Sequence, residues 1–219
     1  MTNKLFVPLT VLAAAMFAYA PFMIVDAPYE STMGLVQKIF YFHVPAGMTL
    51  FLAAFASGIG SAFFLFTRKP VWDRLAVAGA ELAAVLGLIV LVTGPLWARK
   101  AWGVWWVWDP RVTSTFVMWM IFSAYLLLRR YGGPGSDRLS AAVALFGMVN
   151  VPFVYWSVNV WRTLHPKTSV VPTLPSGLRG PFWFCVVAFT LVTILLLMMR
   201  TELEKRRQEL DQLYLAVEE

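Results

Sequence analysis

Six long apolar runs, separated by short polar connections, constrain this chain more than any other feature. A hydrocarbon layer about 30 Å thick takes roughly 20 apolar residues per helix. The 219 residues offer six such stretches, at 5–25, 44–66, 75–97, 112–128, 139–160 and 181–199. With 59% hydrophobic residues, 14% charged and a mean hydropathy of +0.68, little length is left for a separate soluble domain. Strand-like alternation is absent, and a helix satisfies its backbone polar groups within its own span. The pattern therefore predicts an all-α integral membrane protein, a six-transmembrane-helix bundle. The membrane domain is expected over residues 1–199, with a Trp-rich segment at 98–111 outside the bilayer. Residues 200–219 read as a charged cytoplasmic helical tail, with Leu203, Leu210, Leu213 and Val217 on roughly one stripe.

The first run has features of a signal peptide: Lys4, an apolar core and an Ala18-Tyr19-Ala20 triplet like a cleavage site. Pro21 follows that triplet directly and the apolar stretch is long for a signal core, so a retained helix is expected. Cys185 is the only cysteine, which excludes an intramolecular disulfide, a Cys-x-x-Cys site and covalent c-type haem attachment. The net charge of +6 is unevenly distributed. With the N-terminus in the cytoplasm, eleven Lys and Arg fall inside and seven outside, the latter being Lys38, Arg99, Lys100, Arg111, Arg162, Lys167 and Arg179. The positive-inside rule favours this orientation, with both termini cytoplasmic. No basic soluble domain is available to carry nucleic-acid binding.

In that orientation the first, third and fifth connections share the outer face, and the unusual residues collect there. Four of ten tryptophans fall within seven residues, in Trp102-Gly103-Val104-Trp105-Trp106-Val107-Trp108-Asp109-Pro110-Arg111. Interfacial anchoring accounts for Trp72, Trp97, Trp156 and Trp183, but such belts rarely pack tryptophan so densely. Trp102, Trp105, Trp106 and Asp109 have the spacing of one helical face, so a short helix would present them together. Asp109 either caps the fourth span, ahead of Pro110, or orients Arg111 or the indoles.

The chain's two histidines lie on the same face. His43 sits where the first connection enters the second span, and His165 just after the fifth. Imidazole ligates haem iron, and two histidines would satisfy both axial positions. A flat apolar macrocycle suits the indoles, and its propionates suit guanidinium groups, with Arg111 and Arg162 as candidates. The site expected on these grounds comprises His43 and His165 at the iron of a non-covalent haem, with the clustered indoles, Arg111 and Arg162 around it.

The Trp-Gly-x-Trp-Trp-x-Trp-Asp-x-Arg pattern resembles the tryptophan-rich signature of the haem-handling proteins of cytochrome c biogenesis. Six spans and this length resemble haem exporter protein C of the cytochrome c maturation system. Tyr41-Phe42-His43-Val44-Pro45-Ala46 is similar to that family's first histidine motif, and Thr93-Gly94, Trp97 and 102–111 to its third connection. Ser157-Val158 with Trp161, Leu164 and His165 is similar to the second histidine motif. Val160 and Pro166 depart from it, standing where Trp and Gln are expected, which puts the contour of that pocket edge in question. The resemblance implies that His43 and His165 are axial ligands and that Trp102, Trp105, Trp106, Trp108 and Asp109 form a platform for one haem edge. It implies a bacterial inner-membrane protein that presents haem at the periplasmic face to a membrane-anchored haem chaperone. Further implied partners are an ATP-driven transporter pair and a very small single-span subunit.

Such a platform is a holder of haem, with orientation as its main contribution to covalent capture by the chaperone and no evident nucleophile of its own. Two rival functions are a transmembrane transporter for haem or another small solute, and a b-type electron-transfer protein. Glu81, inside the third span, favours transport, with Asn150 and Asn159 as residues that either line a path or bond neighbouring helices. Electron transfer across a membrane calls for a second ligand pair, which two histidines cannot supply. The stretch 166–181 is a candidate outer loop that closes on haem.

Overall fold

The computed structural model describes residues 4–218. Six helices follow one another: α1 (Phe6–Asp26), α2 (Phe40–Thr67), α3 (Pro70–Trp102), α4 (Pro110–Tyr131), α5 (Ser136–Val160) and α6 (Ser176–Glu218). Short 3-10 turns at Leu35–Ile39 and Thr168–Val170 lie in the first and fifth connections. All six helices are long and apolar enough to cross a membrane, and no strand occurs among the described residues. The chain is a multi-pass, all-α membrane bundle.

Small residues determine how closely the central pair of helices approaches. A Cβ built on Gly79 of α3 would lie 2.5 Å from the Ser57 nitrogen of α2, and one on Gly60 of α2 would lie 2.8 Å from the Ala76 nitrogen of α3. Ser57 Oγ donates to the Ala76 carbonyl at 2.9 Å. Lipid gives no hydrophobic drive between helices, so this backbone-to-backbone packing and hydrogen bonding is what joins them. Leu50, Ala53, Ala54, Ala80, Ala83, Met118, Phe122 and Val154 continue the core across α2, α3, α4 and α5. α1 stands apart, packed mainly on α6 with only Ala13 buried, and its exposed apolar side chains suit a lipid-facing helix.

Several helix limits extend past the apolar runs. α2 begins at Phe40, because Phe40 and Tyr41 are buried and continue the 3-10 turn before them; His43 therefore stands on a helix. The turn is held by Lys38, whose Nζ donates to the carbonyls of Ile24, Val25 and Ala27 at 2.6–3.0 Å, closing the C-terminal end of α1. α6 starts at Ser176 and runs unbroken past Arg200 to Glu218. At that end, away from the histidines, Arg200 pairs with Glu81 through two hydrogen bonds, Arg129 Nη2 meets Asp73 Oδ2 at 2.8 Å, and Glu204 is buried. Glu81 is thus an ion-pair partner joining α3 to α6. Asn150 donates to the Ser114 carbonyl of α4, and Asn159 exchanges hydrogen bonds with Thr168, so both serve as structural links.

The stretch 166–181 is partly packed. Leu174 and Leu178 are buried with Phe40, Tyr41, Trp97 and Phe182, which ties its second half to the bundle.

Candidate haem site

The first, third and fifth connections meet at one end of the bundle, and the residues singled out by sequence are distributed around it. His43 is 8% exposed, two residues before Pro45 of α2. Its Nδ1 lies 2.8 Å from Thr93 Oγ1 on α3. The Thr93 hydroxyl donates its single proton to the Ile89 carbonyl at 2.7 Å. It must therefore accept from Nδ1–H, which leaves Nε2 of His43 as the ring nitrogen with a lone pair to offer a metal. Gly94 gives the ring its space, since a Cβ there would sit 3.3 Å from His43 Cε1. The Trp97 ring packs edge-on to the imidazole, with centroids 5.7 Å apart.

His165 repeats this arrangement on irregular backbone. Its Nδ1 is 3.0 Å from the Pro166 carbonyl, which can only accept, so Nδ1 carries the proton and Nε2 again keeps its lone pair. Burial, followed by the nearby Arg111 guanidinium, lowers its pKa to about 4, so the ring is neutral, the form that binds metal. Asp109 also acts on His165, opposing the effect of Arg111.

The Trp-rich connection is not the short helix its spacing suggests. Gly103 ends α3 with φ 76°, and Asp109 is extended at φ −86°, ψ 164°, as a residue before proline prefers. Arg99 Nη1 donates to the Gly103 carbonyl at 2.6 Å, and its guanidinium lies over the Trp105 ring. Trp106 packs edge-on to Trp108 and Phe116. Trp105 and Trp108 are 58% and 71% exposed, whereas Trp102 is half-buried at the end of α3.

Asp109 does cap α4, accepting from the Val112 N–H at 2.9 Å, with Pro110 at the first helical position. Its second oxygen accepts from the Thr163 hydroxyl at 2.6 Å, and Thr163 Oγ1 accepts the His165 N–H at 2.9 Å. Asp109 therefore holds the His165 segment; neither Arg111 nor an indole is its hydrogen-bond partner. Arg111 Nη1 donates to the Val154 and Tyr155 carbonyls of α5 at 2.6 and 3.1 Å. Arg162 is exposed, with no hydrogen bond or ion pair among the described residues.

Three contributors lie outside the residues expected at the site. Trp97, which interfacial anchoring would explain, is 6% exposed and packs on His43. Thr93 lies four residues before it on the same helical face; both belong to the stretch that resembles the family's third connection, and only the pairing of α2 with α3 places them on His43. Thr163 precedes His165 by two residues and carries no sequence signal of its own. The donor set fits haem: two neutral imidazoles with free Nε2, exposed indoles, and buried Trp97 and Trp106 indole N–H groups without a protein acceptor.

Comparisons with known proteins identify the family. The family model CcmC, heme exporter protein C, matches residues 1–215. The heme exporter protein C of Escherichia coli strain K12 is 33% identical over 202 residues, covering 86% of this chain and 80% of that protein. Heme exporter protein C of Bradyrhizobium diazoefficiens is 35% identical over 190 residues, covering 83% and 72%. A putative cytochrome c biosynthesis ccmC-like mitochondrial protein of Arabidopsis thaliana is 32% identical over 184 residues, covering 78% and 70%. With six spans, a matching family model over nearly its whole length and relatives of this name, the chain belongs to the heme exporter protein C family.

Proposed function

We propose that this protein is a cytochrome c maturation factor that holds haem b at one membrane face and presents it to a membrane-anchored haem chaperone. The observation that carries the reading is the matched state of the two histidines. Each donates Nδ1–H to a fixed oxygen and keeps an Nε2 lone pair at the end of the bundle that bears the Trp-rich connection. Such outer partners set the tautomer and raise the basicity of a metal-binding imidazole. Haem supplies the iron and the apolar edge; the chain supplies two nitrogens and a surface of indoles. Trp105 and Trp108 are exposed enough to lie against both a haem edge and a docking protein.

The protein acts as a holder that orients its cargo for covalent capture elsewhere. Its place is the bacterial inner membrane, with both termini cytoplasmic and the haem site periplasmic. An ATP-driven transporter pair and a small single-span subunit complete the expected assembly. Transport through the bundle draws no support from Glu81, which is occupied by Arg200. The test is absorption spectroscopy of the detergent-purified protein beside His43→Ala and His165→Ala. A low-spin b-type spectrum in the parent, lost or turned high-spin in each variant, is expected. A parent that neither contains nor takes up haem refutes the reading.

A further inference from the structure

The two histidines are anchored by different kinds of structure. His43 stands on α2, and the oxygen that fixes its ring stands on α3, against which α2 packs backbone to backbone. His165 stands on irregular chain between α5 and the Thr168–Val170 turn, with Trp161 and Leu164 beside it about half exposed. A segment of that kind, with few buried contacts, opens at lower free energy than a packed helix. Among the described residues its hydrogen-bonded link to the Trp-rich connection runs through Thr163, which joins the Asp109 carboxylate to the His165 backbone. The same carboxylate ends the Trp-rich connection and caps α4.

We propose that Asp109 is a positioning residue for His165, acting through Thr163, and that this makes His165 the displaceable one of the two imidazoles. The inference rests on the haem reading above. A partner seated on the exposed Trp105 and Trp108 pushes on the connection whose last residue is Asp109. A displacement of about 1 Å takes the Thr163–Asp109 contact beyond hydrogen-bond length, freeing the His165 backbone while His43 keeps its bond to Thr93. His165 would be the residue to let go of an iron held between the two rings; it would leave as a neutral imidazole with its Nε2 electron pair, and no proton would move, because Nδ1–H remains on the Pro166 carbonyl.

The test compares Thr163→Val, Thr163→Ser and Asp109→Asn with the parent and His165→Ala, each loaded with haem and titrated with free imidazole. Thr163→Val is expected to move toward the high-spin spectrum of His165→Ala and to take up imidazole about tenfold more tightly than the parent. Asp109→Asn, which keeps an oxygen to cap α4, shifts the same way, and Thr163→Ser returns to parental behaviour. In the haem-free protein, hydrogen exchange of the His165 amide speeds about tenfold in Thr163→Val. A Thr163→Val protein with parental spin state, imidazole affinity and amide exchange overturns the inference while leaving the two-histidine site intact. Failure of Thr163→Ser to restore those properties overturns it as well. A parent without a two-histidine spectrum overturns the haem reading, and this inference with it.

Discussion

Replacing Thr93 by Val keeps the side-chain shape and removes the oxygen that accepts from His43 Nδ1–H. The bond from Thr93 back to the Ile89 carbonyl is an i−4 contact inside α3, whose loss is close to neutral for the helix. The main cost falls on His43, a buried imidazole whose N–H then has no acceptor. A buried donor left unsatisfied costs about 1–3 kcal/mol, and loss of a partner behind a metal-binding histidine costs about 10–100-fold in affinity. The first cost is borne by the haem-free protein as well and falls on stability; the second sets the expectation that haem affinity in Thr93→Val falls about 10–100-fold, measured by titrating haem into the detergent-solubilised protein. The midpoint potential should rise, since a less basic imidazole favours ferric iron less. Thr93→Ser keeps the hydroxyl and should stay near the parent. An affinity for Thr93→Val within about twofold of the parent, well below the second-shell range, would refute the assignment of Thr93 as the group that fixes His43.

The α2–α3 crossing leaves no space at Gly79, so Gly79→Leu should separate the helices and lose both thermal stability and haem binding, read by melting in detergent and by the absorption spectrum. Glu81→Leu strands Arg200 and should lower the melting temperature without altering the haem spectrum. Adding Arg200→Leu should recover part of that loss, whereas a haem signal that disappears with Glu81 would favour transport. In the first connection the Met33 N–H holds the Glu30 carboxyl below its ordinary value of 4.5. A depressed carboxylate contributes stability above the ordinary value and loses it as pH falls through the lowered one. The protection of the Thr32 and Met33 amides against hydrogen exchange, taken relative to the intrinsic rate at each pH, should therefore fall in acid, below about pH 4.5, and lose that pH dependence in Glu30→Gln.

Features set by neighbours along the chain were legible without a structure. Each apolar run became a helix, because a span must satisfy its backbone within itself, whatever surrounds it. The even spacing of the runs places the first, third and fifth connections, and with them both histidines, at one end. Asp109 before Pro110 marks the start of α4, where the cap is formed by residues three apart.

Contacts between residues far apart in sequence were decided only by the packed bundle. Helical spacing at 102–109 argued for one indole face, yet Gly103 and the Asp109-Pro110 pair end α3 and open α4 around a non-helical connection. Trp97 carries the composition of an interfacial anchor, and its place against His43 exists because Gly60 and Gly79 bring α2 and α3 together. Thr93 and His43 are 50 residues apart, and Asp109 and Thr163 are 54 apart. Periodicity reports which face of a helix is apolar, but it carries no register between one helix and another. Sequence alone therefore determined that six helices are long and apolar enough to span a membrane and that two histidines lie at one end of the bundle; only tertiary packing decided which hydroxyls meet them.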